Sequence, residues 1–318
     1  MSKDFAIGID VGGTNTKFGI VNPNGEILEQ SRSKTNAHDN VHDFINELYE
    51  NLQPMIDRYG GKDRFAGIGM GAPNGNYYSG TIEYAPNLRW KGIIPLADLM
   101  TKKFELPVKL TNDANAAAMG EMMYGVAKGM KHFITITLGT GVGSGIIIDG
   151  KMVYGHDGFA GELGHVTVIP GGRMHKGTGL RGSLEAYASA TGVRETAIEM
   201  LAAEPDRPSL LRNYPIDELT SETVYNCAMQ GDKIANDIFE FTGTILGEAM
   251  ANFVMFSSPE AIVLFGGLTK AGDLIMKPTK KAMEENLIKI FQGKVKVLFS
   301  NLPESDAAIL GASALIWD

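Results

Sequence analysis

The sequence predicts an α/β protein built from two copies of a βββαβα half, each half contributing one glycine turn. Two stretches carry that prediction. Residues 5–21 read as strand, turn, strand: Phe5-Ala-Ile-Gly-Ile-Asp10, then Val11-Gly-Gly-Thr14, then Asn15-Thr-Lys17-Phe-Gly-Ile-Val21. Roughly 130 residues downstream the pattern returns, with Lys131–Leu138 as strand, Gly139-Thr-Gly-Val-Gly-Ser-Gly145 as turn and Ile146–Asp149 as strand.

In chain order, Asn22-Pro-Asn-Gly25 turns the chain into Glu26–Leu28, completing a three-stranded meander. Val41, Phe44, Ile45, Leu48, Leu52, Met55, Ile56 and Tyr59 recur at helical spacing, so 40–59 is an amphipathic helix. Arg64–Met70 is a strand that opens into Gly71-Ala-Pro-Asn-Gly-Asn76, the kind of strand end where ligands collect in α/β proteins. Asn87 follows in an irregular segment, and Pro95–Phe104 forms a short helix. The strand Val108–Thr111 stops at Asn112-Asp113, and a helix runs from Ala114 to Val126. After the second glycine turn come a glycine-rich bend holding Glu162 and His165, helices near 184–203, 220–230 and 231–256, and the strand Ala261–Phe265, which runs into Gly266-Gly267. A helix near 271–291, the strand Lys294–Phe299 and the helix Asp306–Ile316 complete the pattern. Ala203–Tyr214, with its prolines, is the one extended loop.

With 318 residues, 44% hydrophobic and 21% charged, the chain is an ordinary globular protein long enough for two domains. A formal charge of -8 argues against a nucleic-acid partner, while a local positive pocket for an anion remains compatible with it. Cys227 is the single cysteine, which excludes an intramolecular disulfide and fits a reducing compartment. The first strand begins at about Phe5 without a basic-then-apolar leader, and no apolar run has the length of a membrane span, so a cytoplasmic protein is expected.

The glycine turns carry the first chemical expectation. Gly12 and Gly13 can take positive φ and let backbone N–H groups converge on an anion, and a second such turn can hold the same di- or triphosphate from another side. Asp10 ends the first strand beside this cradle, where Mg²⁺ could sit between a carboxylate and phosphate oxygens. The plainer reading of the stretch is a Gly-rich hairpin with a solvated aspartate. Asp113 lies at a strand end and in the first turn of a helix. It or Asn112 could simply cap that helix, and Asp113 could equally be a general base, since the helix N-terminus favours its charged form.

Other chemistries fail on context. No Gly-x-x-x-x-Gly-Lys-Ser/Thr sequence occurs. Gly177-Thr-Gly179-Leu-Arg-Gly182 matches a dinucleotide fingerprint but follows His175-Lys176 and no strand. His38 and His42 have zinc-compatible spacing without the rest of a metalloprotease pattern, and read as a solvated helix face. Glu162-x-x-His165 has no second copy to make a di-metal site. Met250, Phe253, Val254 and Met255 read as core.

Seven motifs in one order carry a resemblance over nearly the whole chain: Asp10-x-Gly-Gly-Thr14, Ala85-Pro-Asn-Leu88, Asn112-Asp-Ala-Asn115, Leu138-Gly-Thr-Gly-x-Gly143, Glu162-x-Gly-His165, Leu184-Glu-Ala-Tyr187 and Gly266-Gly267. Together they resemble the ROK family of sugar kinases. The resemblance implies a two-lobed actin/Hsp70/hexokinase-like (ribonuclease H-like) fold, here expected as a small lobe of 1–111 plus 306–318 and a large lobe of 112–305. It implies phosphorylation of a hexose at O6 with ATP and Mg²⁺, glucose first, with other hexoses and N-acetylhexosamines as alternatives. Asp113 would be the catalytic base. Asn87, Asn112, Glu162, His165 and Glu185 would contact the sugar, while Asp10, Gly12, Gly13, Thr14, Lys17, Thr140, Gly141, Gly266 and Gly267 would serve ATP and Mg²⁺. A homodimer or homotetramer is implied as well. Family regulators that sense sugars carry a DNA-binding domain ahead of this region, and the start of the first strand at about Phe5 leaves the expectation of none.

One departure stands out. Where the family usually has three zinc-binding cysteines after Glu-x-Gly-His, this chain has Lys176, Thr178 and Ser183. No structural zinc is expected, since four-coordinate zinc cannot be built on His165 alone. His156, Asp157 and His175 could make a substitute site, and otherwise the loop 169–182 must be held by packing and hydrogen bonds. Asn74, where many relatives have glycine, tolerates the left-handed region.

Overall fold

Alternation of small apolar residues puts the opening segment in the middle of a five-stranded sheet. In the computed structural model, which describes residues 3–303 and 305–317, strand β1 (Phe5–Val11) pairs antiparallel with β2 (Thr16–Val21), and β2 with β3 (Ile27–Ser33). Helix α1 (Val41–Arg58) follows, its N-terminus capped by Asn40, whose side chain accepts the Asp43 N–H at 2.9 Å. Its buried face of Phe44, Ile45, Leu48, Leu52 and Ile56 packs on Ile7, Ile9, Phe18 and Ile20 of the sheet. Strand β4 (Phe65–Gly71) lies parallel to β1. A small antiparallel sheet of β5 (Gly75–Asn76), β6 (Thr81–Glu83) and β7 (Ile93–Ile94) interrupts the pattern before α2 (Leu96–Phe104), β8 (Val108–Thr111) and α3 (Asp113–Met123).

The second half begins with β9 (Phe133–Leu138), β10 (Val142–Ile148) and β11 (Lys151–Met152). Helices α4 (Glu185–Ala188), α5 (Ala190–Ala203), α6 (Ser221–Met229) and α7 (Lys233–Ser257) precede β12 (Ala261–Phe265), α8 (Asp273–Glu285), β13 (Lys296–Phe299) and α9 (Ala307–Trp317). The two large sheets share one plan, β3-β2-β1-β4-β8 and β11-β10-β9-β12-β13. The internal repeat read from the glycine turns is therefore a repeat of sheet topology.

Two compact units emerge, one made of the residues up to Lys131, Gly145–Gly161 and those from Ser300 on, the other of His132–Ser144 and Glu162–Phe299. These boundaries differ from the expected division at 111 and 305. The reason is close helix packing in the first unit, where α3 lies against α9: a Cβ on Gly120 would come within 3.0 Å of Gly311, and one on Gly311 would overlap the Ala116 carbonyl. Only glycine lets the two backbones approach so far, and α3 stays with the sheet that α9 covers.

In the second unit α7 and α8 meet in the same way, a Cβ on Gly243 coming within 2.5 Å of Pro278. Asp232 caps α7 through the Ala235 N–H at 2.9 Å. The single helix expected over 184–203 is broken at Ser189, whose hydroxyl accepts the Gly192 N–H at 2.9 Å and starts α5. Among the described residues no helix is long and apolar enough to cross a membrane.

Candidate active site

In the first unit the glycine turn is held by the strands on either side of it. Gly12 N–H donates to the Asn15 carbonyl at 3.1 Å, closing the turn between β1 and β2. Neither Gly12 nor Gly13 has positive φ, contrary to the torsional role expected of them. Their role is space: a Cβ on Gly12 would lie 2.8 Å from the Asn15 oxygen, and one on Gly13 would lie 2.7 Å from the Asn87 oxygen. Gly13 thus lets the turn press against the segment that carries Asn87. That segment is fixed by buried Leu88 and Trp90, the indole donating to the His38 carbonyl at 3.1 Å and packing at a tilt of 46° with its centre 4.6 Å from that of Phe44. Asn87 and Thr14 are exposed beside it. His38 precedes α1 and pairs with Glu47, so His38 and His42 do not share a helix face.

Asp10 faces Lys17 in the β1–β2 register and Gly71 in the β1–β4 register. Its pKa is raised to about 6, chiefly by burial and then by the negative charge of Asp113, with Lys17 acting in the opposite sense. Asp113 stands at the first position of α3, and the capping duty belongs to its neighbour: the Asn112 side chain accepts the Asn115 N–H at 2.7 Å. The Asp113 carboxyl accepts local backbone N–H groups, that of Ala114 at 2.9 Å and its own. Although accessible to solvent, it is surrounded closely enough by protein that desolvation raises its pKa against the lowering effect of those amides. Asp10, whose negative charge is disfavoured where it stands, is the kind of hard oxygen donor that fits a divalent cation beside a phosphate. Asn74 adopts φ 51° and binds the Glu83 carbonyl, as its tolerance of the left-handed region allows.

In the second unit the glycine turn is held by backbone bonds and by side chains from elsewhere. Gly139 N–H reaches the Gly141 carbonyl at 3.0 Å, and Gly143 N–H reaches the Thr137 hydroxyl at 3.1 Å. Val142 N–H donates to one carboxylate oxygen of Glu185 at 2.7 Å. The start of α5 grips the other side, with Ala190 N–H on the Gly139 carbonyl at 2.8 Å and the Thr191 hydroxyl on the Thr140 carbonyl at 3.1 Å. A Cβ on Gly141 would overlap Glu185, so this glycine too serves close approach. Gly266 has φ 108° and would bring a Cβ within 2.7 Å of the Leu138 carbonyl, which explains the first glycine after β12.

Glu162 and His165 flank a short 3-10 turn, 3.6 Å apart at their side chains. Gly164 between them packs against Val142, and Leu163 N–H donates to Ser144 at 3.3 Å, so the bend is seated on β10. The bridge Thr167–Ser183 and the Leu184 N–H bond to Val166 at 3.0 Å bring this strand alongside the approach to Glu185.

The loop 169–182 is organised by an arginine that the sequence reading did not single out. Arg173 donates from Nε to Glu199 at 2.8 Å, from one terminal nitrogen to the Ala186 and Gly192 carbonyls at 2.6 and 3.1 Å, and from the other to Thr196 at 3.0 Å. Its guanidinium also lies 4.6 Å from the centre of the Tyr187 ring. Tyr187 in turn accepts the Arg173 backbone N–H at 2.6 Å. A buried side chain using its donors on α4 and α5 at once fixes the loop to both. At the places of the family's cysteines, Lys176, Thr178 and Ser183 offer no thiolate to a zinc ion. His175 is engaged instead with Glu185 at 3.2 Å and with the Thr178 hydroxyl at 3.0 Å.

The sequence profile of the ROK family matches residues 6–318. The chain belongs to the ROK family. A ROK relative, the glucokinase of Halalkalibacterium halodurans, is 35% identical over 318 residues, covering 99% of this chain and 96% of its own. The glucokinase of Thermotoga maritima is 31% identical over 328 residues, covering 99% of this chain and 98% of its own. Among solved structures, a ROK family glucokinase from Streptomyces griseus in complex with glucose and AMPPNP superposes with a TM-score of 0.79 at 31% identity, over 98% of both chains.

Proposed function

We propose that this ATP-dependent sugar kinase transfers the γ-phosphoryl group of ATP to O6 of a hexose, glucose most readily, with Asp113 as general base. The observation that supports the base is local. Asn112 caps α3, Asp113 does not, and desolvation raises its proton affinity above that of an ordinary aspartate. Such a carboxylate is better matched to accepting a hydroxyl proton near neutral pH.

In the step, the O6 oxygen forms its bond to the γ-phosphorus, the bond to the β–γ bridging oxygen breaks, ADP leaves and the O6 proton passes to Asp113. Phosphoryl transfer needs little covalent help, so positioning and charge neutralisation carry the rest. Mg²⁺ would neutralise charge on the phosphate oxygens, and Asp10 is the carboxylate suited to hold it. The exposed turns at Gly12–Thr14 and Thr140–Gly141, with Gly266-Gly267, are assigned to the nucleotide. By their match to the family motifs, Asn87, Asn112, Glu162, His165 and Glu185 are assigned to the hexose hydroxyls. A sugar lacking a hydroxyl that one of them binds should be rejected, because a buried polar group is then left unpaired.

The test is an ADP-release assay over glucose, mannose, fructose and the N-acetylhexosamines, with the phosphorylated position of the product read by NMR. Glucose-dependent release with glucose 6-phosphate as product is expected. Preference for another hexose would move the assignment within the panel, and hexose binding without ATP turnover would make the chain a sugar sensor.

A further inference from the structure

Glu185 is contacted from two directions. Its Oε2 accepts Val142 N–H at 2.7 Å, and its Oε1 lies 3.2 Å from His175 Nε2. Beside it opens a recess of about 150 Å³ lined in part by His175, Lys176, Glu185, Thr191 and Glu195. The carboxylate therefore has room to swing away from Val142, and His175 stands on the recess side. Lys176, on the same wall, is 84% exposed at its side chain and turns to Glu195 at 3.9 Å.

His175 is itself held. Its Nδ1 meets the Thr178 hydroxyl at 3.0 Å, its N–H donates to the Leu180 carbonyl at 2.8 Å, and its carbonyl accepts Gly179 N–H at 2.8 Å. The hairpin is closed at its base by Gly182 N–H on the Arg173 carbonyl at 2.8 Å, and Arg173 is the residue tied to α4 and α5. A rigid arm thus runs from α5 through Arg173 and the hairpin back to Glu185.

We propose that His175 is a positioning residue: by occupying Oε1 of Glu185 it keeps Oε2 on Val142 N–H, fixing both the carboxylate and the glycine turn at Gly139–Gly143. A kinetic consequence rests on the assignment of Glu185 to the hexose. A carboxylate free to move would bind sugar less tightly, while a bound sugar would restore it, so affinity suffers more than turnover.

Two readouts test this in the full chain. Amide exchange at Val142, measured without substrates, should quicken about tenfold in His175→Ala, while Gly143, bonded to Thr137, stays as in the wild type. The hexose KM of His175→Ala should rise about tenfold with kcat changed less than about threefold, and His175→Gln, whose amide can still donate to Oε1, should return KM to within about threefold. Unchanged Val142 exchange in His175→Ala overturns the proposal, as does an equal rise of KM in the Gln and Ala variants or an unchanged KM in an active enzyme. If the wild type phosphorylates no hexose, the functional reading falls and Val142 exchange alone decides the positioning role. Should His175→Ala fail to fold, Thr178→Val, which removes the contact to Nδ1, gives the weaker version: exchange at Val142 quickened about two- to threefold, with no change overturning the proposal.

Discussion

The two glycine turns occupy equivalent places in a repeated topology, yet they are built differently. The first is closed by its own backbone and carries charge at its edge, with Asp10 opposite Lys17 and Asp113 close by. The second has a backbone bond too, from Gly139 to Gly141, carries no charge of its own and adds side chains from elsewhere, Glu185 on Val142 and Thr191 on Thr140. Duplication preserved the sheet order and the turn, and left the two supports to diverge. The first turn is therefore the place to look for metal and proton chemistry, the second for mechanical dependence on the residues that support it.

The largest effect expected from breaking this asymmetry is at Asp113. Asp113→Asn should lower kcat by about 10²–10⁴ with the ATP KM changed only a few-fold, read by steady-state kinetics at saturating sugar. Because Asn112 caps α3, the variant should melt at no lower temperature than the wild type, a control that separates chemistry from folding. Next come the turns themselves. A Cβ at Gly13 meets a backbone oxygen of Asn87, which cannot yield cheaply, whereas a Cβ at Gly141 meets the movable end of Glu185. Gly13→Ala should cost about 1–3 kcal/mol of stability by denaturant unfolding. Gly141→Ala should cost less stability and instead raise the hexose KM, since Glu185 must leave its place; equal losses in both variants would contradict the contrast drawn here.

Much of this was legible in the sequence because the signals are local. Apolar runs ending in glycine turns pointed to strands at Phe5–Asp10 and Lys131–Leu138, found at Phe5–Val11 and Phe133–Leu138, helical periodicity placed α1 and α7, and the order of seven short motifs pointed to the family. Glycine was legible as a residue and not as a reason: a sequence cannot say whether Gly12 and Gly13 are there for torsion or for space, and the structure answers space. Asn112 and Asp113 were equal candidates for the cap until the Asn115 N–H was seen on Asn112. The arm formed by Arg173, His175 and Glu185 left no signal, because an arginine in a glycine-rich loop acquires its partners only when α4 and α5 fold beside it. The unit boundary was missed for the same reason, being set by Gly120 against Gly311, residues that are far apart in sequence.

The smallest effect expected concerns Asp10 and sharpens the electrical side of the comparison. Its folded-state pKa of about 6 lies above the ordinary aspartate value of 3.8, so the folded state binds its proton more tightly than the unfolded state does. Stability from this group is complete below the unfolded value and is lost as pH rises through about 6. At pH 8 without magnesium, the wild type therefore carries a charge that the fold disfavours. Asp10→Asn should be more stable there by about 1–2 kcal/mol, after allowance for the partial exposure of the carboxyl, with the advantage gone below about pH 4. Thermal melts across pH read it, and Mg²⁺ with nucleotide should reverse the order by stabilising the wild type more than the variant. A variant advantage at pH 8 that persisted unchanged at pH 4 would mean that Asp10 is held by something other than desolvation and the charge of Asp113.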